Sequence, residues 1–151
     1  MSMSTLVRFR KQSKIQFIDT MIELTNHTVT YTNKLPKSVK FTWSVKLCGL
    51  CQDTLIDLCQ ANVIYFSNKE EYLRRKALLE SALGKLDALE TFLTCLALSE
   101  YYGDIANTKG NVFEIEDGYP FRRWGELLDE ERYLIKGLLS SDAKRLAGFS
   151  E

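Results

Sequence analysis

Residues 67–99 read SNKEEYLRRKALLESALGKLDALETFLTCLALS, and this run sets the fold class. Leu79, Leu86 and Leu93 recur every seven residues, and Ala82, Leu89 and Leu96 repeat that interval beside them. Adjacent heptad rows on one helix make a seam that must be buried against other helices. Leu83 and Ala97 widen it. Ser67-Asn68-Lys69-Glu70 has the spacing of a capping box, in which an N-cap hydroxyl and a carboxylate three residues on satisfy each other's free amides. The run predicts one long helix from this box to about Ser99.

The flanking sequence supplies partners for that seam. Upstream, a helix is predicted from about Ser38 to Val63, with Lys37-Ser38 as its N-cap. Its stripe reads Phe41, Val45, Cys48, Leu55 and Cys59, with Cys51, Ile56 and Leu58 beside it, and it frays near Asn62. An earlier helix spans about Ser13 to Asn33. There Ile15, Ile18, Ile22, Thr25 and Val29 share one face, widened by Met21, Leu24 and Tyr31. Asn33-Lys34-Leu35-Pro36 closes it, because the residue before a proline is pushed out of the α region.

Downstream, a fourth helix begins near Pro120, a good first-turn residue. Trp124, Leu127, Leu128, Leu134, Ile135, Leu138 and Leu139 mark its buried side, and Gly148 is a natural terminator. Between the third and fourth helices, residues 101–119 hold Gly103, Gly110 and Gly118 and no sustained period. Val112-Phe113-Glu114-Ile115 alternates there, as in a short strand or hairpin arm. A connection this long is unusual in a bundle and reads as an irregular insertion or a functional loop. The expected fold is all-α: an antiparallel up-down-up-down four-helix bundle over residues 13–148, preceded by a basic segment, 1–12.

Composition agrees. The chain has 151 residues, 45% hydrophobic and 26% charged, which suits one globular domain. At this length about two-thirds of the unfolded surface can be buried, so no disulfide or metal is needed. No apolar run reaches the roughly 20 residues of a membrane span. Met1 to Lys14 lacks the apolar centre of a signal peptide. A cytoplasmic location is the expectation.

Formal net charge is zero, so global charge argues for no nucleic acid partner. The distribution is uneven. Arg8, Arg10, Lys11 and Lys14 precede the first acid, Asp19, whereas Lys109 is the only base between Glu100 and Asp117.

Signs of catalysis are few. Cys48-Gly49-Leu50-Cys51 has redox spacing, but a redox pair needs its first thiol at an exposed helix N-terminus, and this motif sits mid-helix. Core thiols, with Gly49 admitting a close helix contact, are the plainer reading. A zinc site from Cys48, Cys51, Cys59 and His27 would lack the paired ligands that structural zinc uses. No glycine-rich phosphate loop exists, and His27 is the only histidine available to a triad. Asp129, Glu130 and Glu131 read as a solvated face. The expectation is no enzyme, no cofactor and no metal.

Basic clusters remain: Arg8/Arg10/Lys11/Lys14, Arg74/Arg75/Lys76 and Arg122/Arg123, with Phe9, Tyr72, Phe121 and Trp124 nearby. Arginines beside aromatics suit phosphate contact and base stacking. The plainer reading is solvated helix ends with internal pairs such as Glu71 with Arg75.

The order of short motifs resembles a known family. A basic N-terminal segment leads into Ser13-Lys14-Ile15-Gln16-Phe17. Leu35-Pro36-Lys37 follows at the first turn. Asn62-Val63-Ile64-Tyr65 precedes a third helix carrying Glu71 and Arg74-Arg75. From about Arg8 to Leu98 this is similar to the Avd-like four-helix-bundle proteins, the accessory variability determinants of diversity-generating retroelements. The resemblance implies a barrel-shaped homopentamer with a basic surface. It implies binding to the retroelement's reverse transcriptase and template RNA, in support of mutagenic cDNA synthesis, with no catalytic residues of its own. By that resemblance Arg74 and Arg75 face the partner or nucleic acid, with Arg8, Arg10, Arg122 and Arg123 behind them. The alternative is an oligomeric scaffold, or an S23-like ribosome-associated bundle protein without a retroelement role.

Overall fold

The structure is a computed structural model that describes residues 15–99 and 120–149. The basic segment 1–12, the insertion at 101–119 and the strand expected at Val112–Ile115 lie outside the described residues. Helices α1 (Gln16–Thr32), α2 (Lys37–Asn62), α3 (Lys69–Ala97) and α4 (Phe121–Phe149) follow in order. Each stands where its periodicity placed it, to within a few residues at either end.

The helices pack around a square: α1 against α2 and α4, and α3 against α2 and α4. Every seam is antiparallel. Thr28 and Thr32 of α1 lie against Cys51 and Cys48 of α2, at 3.4 and 3.5 Å. Between α2 and α3, Lys85 meets Asp57 while Lys46 lies over the Phe92 ring. On α4, Arg132 reaches Glu90 and Asp142 reaches Arg75. This is the up-down-up-down bundle expected once short connections after α1 and α2 make those neighbours antiparallel.

Two helix starts differ from expectation. The box on α3 begins one residue later, at Asn68. The Asn68 backbone is extended, and its Oδ1 accepts from the Glu71 amide at 2.9 Å. Glu71 Oε1 in turn accepts from the Ser67 amide and hydroxyl and from Asn68 Nδ2. Asparagine caps as well as serine does, and consecutive glutamates let either register close. Glu71 is therefore turned to the cap, and its expected pairing with Arg75 is not made. On α2 the N-cap is Pro36, not Lys37-Ser38. The Pro36 carbonyl accepts from the Val39 and Lys40 amides, and no side chain caps the end.

The α3 seam is buried as its heptads demand: Leu79, Ala82, Leu86, Leu89, Leu93, Leu96 and Ala97. On α1 the buried face is centred elsewhere, on Phe17, Thr20, Met21, Leu24, Thr28 and Thr32, while Val29 is exposed. The hydroxyls of Thr28 and Thr32 donate to the carbonyls of Leu24 and Thr28, four residues back, at 2.8 and 2.7 Å. With their polar atoms satisfied, these threonines bury like small apolar residues. The α2 reading is overturned more fully. Leu47, Cys51, Thr54, Asp57, Leu58 and Ala61 face the core, and Phe41, Val45, Ile56 and Cys59 face out.

Candidate functional site

Turning α2 this way leaves an apolar stripe on the outside. Phe41, Val45, Gly49, Gln52, Ile56, Cys59 and Val63 follow at spacings of three and four, so they share one face. Phe41 is 80% exposed, Val45 60%, Ile56 53% and Val63 71%. The stripe holds no charged residue and runs for about 33 Å at the helical rise. Shallow depressions lie along it, one lined by Phe41, Val45 and Gly49 with Lys46 and Asp53 at its side, another by Leu55, Ile56 and Cys59. Isolated apolar side chains are ordinary on a surface, but a continuous row marks a surface that meets something.

The arginines divide by what they touch. Arg75 is largely buried, with Nε 2.6 Å from Asp142 Oδ2 and Nη1 donating to the Ala61 carbonyl at 2.9 Å. It ties the end of α2 to α3 and α4. Arg123 is held by Glu23 at 2.6 Å and Glu126 at 3.1 Å, joining α4 to α1. Arg122 is exposed and only 3.7 Å from Glu126, a loose surface contact of small worth. Arg74 is exposed and forms no ion pair among the described residues. Arg8 and Arg10 lie outside the described residues. The first part of α3 also carries Lys69 and Lys76, beside Glu70 and Glu71, and the last part of α4 carries Lys144 and Arg145; none of these four bases has a carboxylate within ion-pair distance among the described residues.

The cysteines have structural neighbours. Cys51 is buried, and its thiol donates to Thr28 Oγ1; burial pushes its pKa up to about 12. A thiol so protonated is a poor nucleophile and a poor metal ligand. Cys48 is half-buried, whereas Cys59 and Cys95 are exposed rather than in the core, and all four are free thiols. Gly49 makes no close helix contact: a Cβ there would meet nothing within 4 Å. His27 Nε2 lies 3.0 Å from the Pro120 carbonyl, and its ring meets the Trp124 indole edge-on. Burial lowers the His27 pKa more than the bond to Pro120 raises it. Nε2 of the neutral ring therefore donates, anchoring the start of α4 to α1. Among the described residues no three of His, Cys, Asp and Glu stand close enough to share a metal ion. No described helix is long and apolar enough to cross a membrane.

One buried group departs from the sequence expectation. Glu131 was expected on a solvated face, yet it is fully buried, and neither carboxylate oxygen has a hydrogen-bond partner among the described residues. Burial, reinforced by Glu130, pushes its pKa up to about 9. It is therefore a neutral acid at pH 7. Its position was legible from spacing, since Trp124, Leu127, Leu128, Glu131 and Ile135 follow one face.

No protein-family model, no curated protein and no solved structure matches this chain.

Proposed function

We propose that this protein is a non-catalytic accessory bundle that assembles with copies of itself through the outer face of α2. Its cationic end is then offered to a reverse transcriptase and its template RNA, the role implied by the Avd-like resemblance. The observation that carries the reading is the uncharged stripe from Phe41 to Val63. A polyanion gains nothing from such a surface, whereas another apolar protein surface does. Assembly also answers the neutral net charge. A ring repeats Arg74, Lys69 and Lys144 about one axis, so a few charges per subunit become a collective field. Five copies is the number the resemblance implies.

Solution mass tests the assembly, and a pull-down with the cognate reverse transcriptase and template RNA at low salt tests the role. The expected results are a multimer and a ternary complex. A monomeric wild-type protein, or no capture of either partner, refutes the reading.

A second reading has its own observation. Arg75 and Arg123 are committed to Asp142, Glu23 and Glu126, which reduces the charge left for RNA. That favours an oligomeric scaffold or S23-like ribosome-associated bundle. Gene neighbourhood separates the two: a retroelement accessory sits beside a reverse transcriptase gene with paired template and variable repeats.

A further inference from the structure

A cleft of about 620 Å³ opens where α1 begins and α2 ends, walled on its far side by α3 and α4. That is within the size range of small-ligand pockets. We propose that this cleft seats one unstacked nucleotide of a single strand, its phosphate taken by Arg75 and Arg145 and its base by the wall around Tyr65. The inference deepens the RNA-binding part of the function proposed above.

The anion site is built before any ligand arrives. Arg75 is fixed by Asp142 and the Ala61 carbonyl, which use Nε and Nη1. Its Nη2 has no partner among the described residues and is not sealed from solvent. Asp142 cancels the Arg75 charge, so the net positive charge comes from Arg145. That guanidinium lies 4.5 Å over the Phe66 ring and donates to the Phe66 carbonyl at 3.2 Å. A ring and a carbonyl orient it but do not neutralise it. The guanidinium N–H groups that these contacts leave over can donate to phosphate oxygens.

The rest of the lining fits a base better than a peptide. Tyr65 is 80% exposed, and its ring meets no other aromatic ring among the described residues, so a face is free for stacking. Gln16 and Asn62 bring amides to the same cleft, each with a donor and an acceptor in one plane. Such pairs match the edge of a base. Phe17, Leu134 and Leu138 give the apolar backing. Gly137 lines the cleft at a point where a larger side chain would enter open space. It sits inside α4, where glycine weakens a helix, and a Cβ there would meet nothing within 4 Å.

Fluorescence anisotropy with labelled single-stranded RNA of about eight nucleotides, a duplex of equal length and an acidic peptide tests the cleft. Gly137→Leu fills the open space, Gly137→Ala does not, and Arg145→Gln removes the uncompensated charge. Helical circular dichroism and melting confirm that each variant is folded. The expected result is single strand bound about tenfold more tightly than duplex, with a loss of about tenfold in Gly137→Leu, several-fold in Arg145→Gln and none in Gly137→Ala.

Unchanged binding in Gly137→Leu, alongside a loss in Arg74→Ala, overturns the cleft and leaves the RNA-binding function standing. Equal affinity for duplex, or preference for the acidic peptide, also overturns it. Absence of any RNA binding removes both the cleft and the RNA part of the proposed function.

Discussion

Trp124 Nε1 donates a 2.9 Å hydrogen bond to Thr28 Oγ1, joining α4 to α1 inside the core. The same hydroxyl donates to the Leu24 carbonyl and accepts from the Cys51 thiol. One buried oxygen therefore ties together three helices. An indole N–H is a donor that must be satisfied when buried, and among the described residues Thr28 is the partner it has.

Thr28→Val keeps the shape and removes the acceptor. The stranded indole donor is expected to cost about 1–3 kcal/mol, read as a lower midpoint in urea and altered tryptophan fluorescence. Thr28→Ser retains the oxygen and should preserve the fluorescence signature. Equal effects of the two substitutions would show that the methyl group, not the hydroxyl, is what matters.

Arg74 and Arg75 are adjacent in sequence, but only Arg75 is tied into the bundle by a carboxylate. Arg75→Ala leaves Asp142 buried without its partner and is expected to destabilise the bundle by about 3 kcal/mol. Arg74→Ala should leave stability within about 0.5 kcal/mol of wild type. Its expected effect is on binding, as weaker and less salt-dependent association with RNA. Urea melts and a salt titration of binding check the pair.

Glu131 should make the protein less stable as pH rises. Its folded pKa of about 9 exceeds the ordinary value of 4.5, so the folded state holds a proton that the unfolded chain releases. Stability from this group is full below about pH 4.5 and is lost as pH rises toward about 9. Glu131→Met removes both unpaired oxygens at similar volume. We expect it to stabilise the bundle by about 1–3 kcal/mol at neutral pH and to flatten the alkaline slope. A stability profile from about pH 5 to pH 9 would refute this if both proteins changed in parallel.

His27 acts in the opposite sense. Its folded pKa lies below the ordinary 6.5, so the unfolded chain takes up the proton first as pH falls. Stability from His27 is complete above about pH 6.5 and declines below it. The protonated ring still donates to Pro120, so the loss comes from desolvating its charge. His27→Gln should lose this acid sensitivity while keeping a donor for Pro120. A melting series below neutral pH that is identical in both proteins would exclude His27 as the source.

Substituting the outer face of α2 separates folding from assembly. Val45→Lys and Ile56→Lys place charges on exposed positions, so the monomer fold should hold, as seen in its helical circular dichroism. Solution mass should fall toward one chain, because buried lysine is costly at an apolar interface. An unchanged mass would place any self-association elsewhere.

Much of the fold was legible because its signals are local. The doubled heptad row on α3, Pro36 and Pro120 at helix edges, and short connections named four helices, the first three antiparallel, without reference to one another. The core face of α3 was legible too, since its charged residues leave only one face to bury. The α2 sequence offers no such contrast. Leu47, Cys51 and Leu58 on one side and Phe41, Val45 and Ile56 on the other are equally apolar, so periodicity admits both faces. Likewise Arg74 and Arg75 read alike in the chain, and Asp142, which separates them, is 67 residues away from Arg75.

The amino-acid order alone determined the helices, their sequence and the antiparallel pairing of the first three, because capping, proline geometry and short loops act between near neighbours. Only the packed bundle decided that α2 turns its Phe41 side outward, that Glu131 is sealed in, and that Arg75 is spent on Asp142. Those choices depend on which surfaces three other helices present, and burial is a property of that meeting rather than of any single segment.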